Sequence, residues 1–372
     1  MFVSATAVRV YMCREKVNRQ TDTCKEPCME YTINQPLPSR RAYADSIESF
    51  IEKEYVKRAE VRKNRFLSKD KEKLRAEYVD MLGFPLNEYE AFSPISVSCR
   101  WEPVFSGKDT EIYRLHFTMP GGILFTGLFF RAMGAEENAL LFALHGMKGA
   151  PEVICAEGTL SDNYNAFVRR ALRPGLCIFA PQLLLWNTER FGDPYNRTEI
   201  NDKLRQLGGS IAALELFCLR CAADYLGDLD YIDADRMGVA GLSYGGMYAL
   251  ALGAADTRMK VTLCSGYFND RTKYLYDWTY RAQASVALDA EQAMLIADRK
   301  LYVELGEADA TFSVDSARKE LERVKEYAAA GGDPSFLRVK IHPGVHAFDL
   351  SDEGVHFLWK HLLGQEYSSP IE

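Results

Sequence analysis

No run of apolar residues in the chain approaches the roughly 20 that a membrane-spanning helix needs, which excludes a helical membrane protein and predicts a soluble one. Positive charge is not in excess either. Lys and Arg number 45 against 52 Asp and Glu, for a net charge of -7. Without a basic field, neither nucleic acid nor an anionic membrane is an expected partner, and a small molecule fits better. The opening MFVSATAVRVYMCREK has no basic stretch ahead of its short apolar run, and Arg9 interrupts that run. It reads poorly as a secretory signal, so cytoplasmic residence is the expectation. The cysteines are nine, odd in number and scattered, which excludes a small disulfide framework. Internal repeats and low-complexity tracts are lacking as well.

What is present is an ordinary globular balance: 372 residues, 47% hydrophobic and 26% charged, enough for one large core. Cys218 and Cys221 have the spacing of a redox or metal pair, but they lie in LGGSIAALELFCLRCAADYLG, where apolar residues recur at helical intervals. No second Cys or His pair accompanies them, so buried helix packing is the expected role. Cys24 and Cys28 sit in a polar, turn-rich leader.

From Arg40 to about Met81 charges alternate with apolar residues, predicting one long helix or two with a solvated face. After Gly83 the period changes. ISVSCRWEPVF, EIYRLHFTM and ILFTGLFFRA read as antiparallel strands joined by short turns. From ALLFALHG onward, apolar segments (GLCIFAP, RMGVAGLS, KVTLCSG, KLYVELG, LRVKIHPG) alternate with helical stretches, the pattern of a mostly parallel sheet covered on both faces. The predicted organisation is an N-terminal extension over 1–90, largely helical from about residue 40, and an α/β domain over 91–372.

VAGLSYGG carries the chemistry. A strand ending in Gly-x-Ser-x-Gly turns sharply into a helix, and glycines remove the side chains that would clash in that turn. Ser243 is then lifted to the carboxyl edge of the sheet, beside a helix N-terminus suited to a developing negative oxygen. A serine hydroxyl needs a base, and the base an orienting acid. Asp309 lies just past the strand LYVELG, with Glu304 and Glu307 as competitors and a helix cap as its alternative use. His346 lies just past LRVKIHPG, with His342 as competitor. The order Ser, Asp, His is one that this architecture uses. Upstream, the glycine-rich LHGMKG follows a strand, so the backbone N–H groups of Met147 and Tyr244 form the expected oxyanion hole. His145 is expected to be a structural loop residue, and Lys148 a solvated charge unless a substrate carboxylate meets it.

LHGMKG, RMGVAGLSYGG, ELGEAD and HPGVHAF stand together in an order that resembles the α/β-hydrolases, close to the dienelactone hydrolase and acetyl xylan esterase-like branch, from about residue 95 to the end. The resemblance implies an α/β-hydrolase fold, with Ser243 as nucleophile, Asp309 as orienting acid and His346 as base. Dienelactone hydrolases proper use a cysteine where Ser243 stands, which disfavours their substrate. Prolyl oligopeptidase-type peptidases share the catalytic arrangement but carry a propeller for which the chain has no room. The implied activity is hydrolysis of a small carboxylic ester, an acetyl ester among the options, through an acyl-enzyme and without metal or organic cofactor. A C–C or amide hydrolase is the alternative, and a non-catalytic binding protein a third reading. Two loop segments, PQLLLWNTERFGDPYNRTE and GYFNDRTKYLYDWTYRAQ, offer Trp186, Phe191, Tyr195, Tyr267, Phe268 and Trp278 as pocket residues or as mere surface closure. Homo-oligomerisation is left open, as is a lid or dimer role for the N-terminal helices.

Overall fold

The computed structural model describes residues 9–10, 31–32, 38–67, 70–92, 95–156, 162–275, 277, 279–330 and 333–365. The chain divides into two compact units, Met1–Lys57 and Arg58–Glu372. In the first, β1 (Arg9–Val10) pairs antiparallel with β2 (Tyr31–Thr32). The first unit also holds the opening turns of a 30-residue helix, Pro38–Leu67, whose residues 39–53 are all exposed and include an Arg41–Asp45 ion pair one turn apart. Such a helix is a charged, solvated surface. Cys13, Cys24 and Cys28 lie outside the described residues.

The second unit begins inside that helix, so residues 58–90, which the sequence groups with an extension, belong to the same unit as the sheet. Arg62 shows what holds them there. It is buried, it pairs with the fully buried Glu291 at 2.9 Å, and it donates to the carbonyl of Ala284. Glu291 also accepts from Tyr327 and Arg323, each at 2.5 Å, so its buried charge is fully matched, as burial of a carboxylate demands. A second helix, Lys71–Leu82, is capped by Asp70 and buries Leu74, Tyr78 and Leu82.

Nine strands form one sheet: β3 (Ser98–Ser106), β4 (Thr110–Thr118), β5 (Leu124–Ala132), β6 (Asn138–Leu144), β7 (Leu176–Pro181), β8 (Ile232–Leu242), β9 (Met259–Ser265), β10 (Lys300–Gly306) and β11 (Leu337–His342). Their order is β11-β10-β9-β8-β6-β7-β5-β4-β3. The first three pair antiparallel, β5 pairs antiparallel with β7, and the rest are parallel. The antiparallel start and parallel continuation agree with the sequence pattern.

Every residue of β6 and β7 is buried, as expected of strands covered on both faces. Leu140, Phe142 and Leu144 join one core while Ala139, Leu141 and Ala143 join the other, so the period-2 alternation of β6 feeds two separate layers. The larger layer holds the helices Ile211–Gly227 and Tyr244–Ala255, and the smaller holds Phe167–Ala171 and Glu353–Leu363. Cys218 and Cys221 are free and buried in the first of these helices, where burial raises both thiols, Cys221 to about 12. A packing role accounts for them. Among the described residues no helix is long and apolar enough to cross a membrane.

The topology selects one place for chemistry. From β6 the chain passes to β7 on one side and returns to β8 on the other. Open α/β sheets bind ligands at the carboxyl ends of strands where the order reverses in this way.

Candidate active site

Ser243 sits at that reversal, between the end of β8 and the helix Tyr244–Ala255, with φ 60° and ψ -121°. A side-chain-bearing residue is held there only when its surroundings over-determine the conformation. Its N–H donates to the carbonyl of Ser265 on β9 at 2.9 Å, and its own carbonyl accepts from Met247 at 2.9 Å. The flanking glycines have a steric cause. A Cβ on Gly241 would lie 2.1 Å from the carbonyl oxygen of Gly245, and one on Gly245 would lie 2.1 Å from that of Leu144. Gly245→Ala is therefore expected to lower the unfolding free energy by about 2 to 3 kcal/mol through overpacking. Urea unfolding checks this, and an unmoved midpoint would mean that the end of β6 yields. Between Met237 and Asp256, Ser243 is the one residue that is not buried.

The loop after β6 lies directly against it. A Cβ built on Gly146 would stand 3.0 Å from Ser243 Cβ. The Gly146 N–H donates to the buried Tyr164 hydroxyl at 2.7 Å, and the Lys148 N–H donates to Leu185 at 2.7 Å. The amides on either side of Met147 are thus engaged, while the Met147 N–H has no acceptor among the described residues. Tyr244 opens the helix that follows Ser243, and first-turn N–H groups have no acceptor within their own helix.

His145 is fully buried. Its Nδ1 lies 3.0 Å from the Gly146 carbonyl and its Nε2 accepts the Leu183 N–H at 3.0 Å, while burial pushes the imidazole down to about 4. It is a neutral brace for the loop. No base is available there.

Asp309 and His346 lie on the loops after β10 and β11, and the two loops are laced together. Glu307 N–H donates to the His342 carbonyl at 2.8 Å, Ala308 N–H to the Gly344 carbonyl at 3.0 Å. His346 Nδ1 donates to Asp309 Oδ2 at 2.7 Å. Asp309 Oδ1 accepts the amides of Thr311 at 2.7 Å and Phe312 at 3.0 Å. Burial opposes the Asp309 charge, but the imidazole and the two amides outweigh it, so its carboxyl is held below the usual range. The His346 ring lies beside Gly266, the residue after β9: a Cβ there would be 3.3 Å from its Cε1.

The competitors fall elsewhere. Glu307 is exposed. Glu304 is buried beneath the loop, bound to Ser265 and to the Asp349 amide. His342 is buried and accepts the Gly344 N–H at 3.2 Å.

Beside the elbow is a cavity of about 410 Å³ lined by Met147, Lys148, Trp186, Tyr195, Arg197 and Tyr244, among others. Trp186 and Tyr195 face one another with ring centres 4.2 Å apart. Phe191 is not part of the lining; it is 38% exposed and carries the Arg190 guanidinium 5.3 Å from its ring centre. Tyr267 and Phe268 lie in the core, at 1% and 0% exposure, and do not reach the cavity. Trp278 lies outside the described residues.

Sequence reasoning passed over a polar assembly at the cavity floor. Tyr244 donates to Asp277 at 2.8 Å, Asp277 pairs with Arg197 at 2.5 Å, and Arg197 donates to Leu184 and Tyr248 at 2.8 and 3.0 Å. Nothing in the spacing of residues 197, 244 and 277 signals this. Among the described residues no group of three or more His, Cys, Asp or Glu side chains is placed to hold a metal ion.

Comparison with known proteins follows the same lines. A model of the prolyl oligopeptidase family matches residues 219–295, a span that holds Ser243 and ends before Asp309 and His346. Acetyl xylan esterase 1 from Thermoanaerobacterium sp. JW/SL YS485 superposes with a TM-score of 0.53 at 14% identity, covering 80% of this chain and 93% of that one. A glucuronoyl esterase from Solibacter usitatus gives 0.55 at 16% identity, covering 78% and 91%. A Bacteroides fragilis protein provisionally assigned as an acetyl xylan esterase gives 0.59 at 16% identity, covering 74% and 75%. The chain has the α/β-hydrolase fold. At these identities the likeness is one of fold. No curated protein matches the sequence.

Proposed function

We propose that the chain is a serine hydrolase of small-molecule carboxylic esters, with Ser243 as nucleophile, His346 as base and Asp309 as orienting acid. The observation that carries the reading is the 2.7 Å bond from His346 to Asp309, on loops at the same sheet edge where Ser243 is held in a left-handed turn. In this reading His346 takes the hydroxyl proton as Ser243 attacks the acyl carbonyl. The amides of Met147 and Tyr244 hold the oxyanion, and Asp309 steadies the imidazolium. Collapse of the tetrahedral species expels the alcohol, which receives the proton from His346. A water molecule activated by the same histidine then releases the acid and restores the serine. The cavity beside Met147 and Tyr244 is of a size to take a small acyl or alcohol group. The esterases of similar fold support an ester substrate, acetylated ones included.

The match to the prolyl oligopeptidase family favours a second reading, hydrolysis of an amide on the same residues. A panel of p-nitrophenyl esters, aminoacyl p-nitroanilides and β-diketones separates these. Turnover confined to the esters is the expected result, and negligible ester turnover beside active anilides or diketones would overturn it. Mass spectrometry after fluorophosphonate treatment should find one adduct, on Ser243. An unlabelled folded protein would favour a non-catalytic binding protein.

A further inference from the structure

Glu304 is buried at the end of β10 and stands outside the proposed chemistry, yet it is bonded to both halves of the site. Its Oε1 accepts the Ser265 hydroxyl at 2.7 Å and the Asp349 N–H at 3.0 Å. Ser265 is the residue whose carbonyl receives the Ser243 N–H, and Asp349 stands three residues past His346 in the same loop. The Glu304 backbone takes part as well: its carbonyl accepts the N–H of Gly266, the residue against which the His346 ring rests. One buried carboxyl group thus spans from the end of β9, which accepts the Ser243 N–H, to the loop that carries the histidine.

We propose that Glu304 is a positioning residue that sets the His346 loop against the Ser243 elbow. The inference rests on the proposed hydrolase reading. A carboxylate in a core is costly unless it is matched, and two donors on one oxygen match it only in part. Burial pushes the group up to about 7, against the pull of Ser265 and the Asp349 amide. Asp349 and Arg170 act on it from the loop and from the helix Phe167–Ala171, and Tyr302 and Cys264 are close enough to feel its charge. An apolar residue would fill the place more cheaply, but it would leave Ser265 and Asp349 without their common acceptor. The rest of the loop is tied from the other side: Asn163 donates to the His346 carbonyl at 3.0 Å, and Arg170 to that of Asp349 at 2.6 Å. Glu304 and its neighbour Ser265 tie it to the end of β9, whose last carbonyl receives the Ser243 N–H.

The test compares wild type with Glu304→Ala, Glu304→Gln and Ser265→Ala by kcat and KM on a p-nitrophenyl ester, by the rate of fluorophosphonate labelling of Ser243, and by thermal unfolding. Glu304→Ala is expected to lower kcat and the labelling rate about 10- to 100-fold, the scale of a misplacement of about 1 Å, with KM within about twofold. Glu304→Gln keeps an oxygen that accepts both donors and should restore most of the loss. Ser265→Ala is the small variant that decides the matter should Glu304→Ala not fold, and it should slow both readouts in the same sense. Labelling and turnover at wild-type rates in folded Glu304→Ala or Ser265→Ala would overturn the proposal, as would equal losses in Ala and Gln. Absence of labelling or turnover in the wild type would instead overturn the hydrolase reading itself.

Discussion

Replacing Ser243 with Ala should lower kcat/KM on a p-nitrophenyl ester by roughly 10⁵-fold or more, because the substitution removes the atom that attacks. The protein itself should scarcely respond. Ala adopts the same left-handed turn at the same steric cost, and the bonds that hold residue 243 run through its backbone, to Ser265 and from Met247. Residue 243 is partly exposed and the group removed is small, so the unfolding free energy should stay within about 0.5 kcal/mol. Paired measurements of turnover and urea unfolding check both halves. A loss of less than about 100-fold in a folded variant would move the nucleophile elsewhere, and a protein that no longer folds would give the serine a structural role.

That separation of backbone from hydroxyl explains why the elbow was legible. Gly241 is required by a contact four residues on, with Gly245, while Gly245 meets Leu144 of one neighbouring strand and Gly246 meets Ser265 of the other, and both of those are strand ends that the hydrophobic pattern marks. The strands themselves were legible from their own residues, since β7 and β6 after Asn138 are unbroken apolar runs and β4 alternates from Arg114 to Thr118. Asp309 emerged from position alone, one loop past a strand end.

Contacts made between distant segments were not legible. Tyr164 touches the glycine-rich loop through Gly146, 18 positions before it, and Arg197 meets Asp277 across 80 positions. No periodicity encodes such pairs. Aromatic content misled for a related reason. Tyr267 and Phe268 follow a strand end, as pocket residues do, but the chain turns inward there. Tyr267 packs on Phe312 with ring centres 5.4 Å apart, and Phe312 in turn lies 5.7 Å from the His346 ring. Tyr267 thus backs the ring that stands beside the histidine, and the cavity is left to Trp186 and Tyr195.

The same geometry predicts that Asp309→Asn is nearly as damaging as loss of the serine, although it changes one atom. Oδ1 of residue 309 accepts two amides, from Thr311 and Phe312, and only an oxygen can do so. The Asn carbamoyl group must therefore keep its oxygen on that side and turn its NH₂ toward His346 Nδ1. An NH₂ donates, so Nδ1 becomes the acceptor and the ring proton moves to Nε2, the nitrogen that must be bare to take a proton from Ser243. kcat should fall roughly 10⁴-fold with KM little changed, the expected cost of the wrong tautomer. Stability should change in acid. The Asp309 carboxyl is held below its ordinary value in the folded state, so its charge stabilises the fold above the unfolded-state value of about 3.9, and that contribution fades as pH falls through the lower folded value. Asn cannot titrate, so the variant should lose less stability than wild type between about pH 4 and pH 2. Turnover at neutral pH and unfolding across that acid range test the two claims separately. A fall in kcat of less than about tenfold would mean that the Asp309–His346 bond fastens two loops together and does nothing for the base.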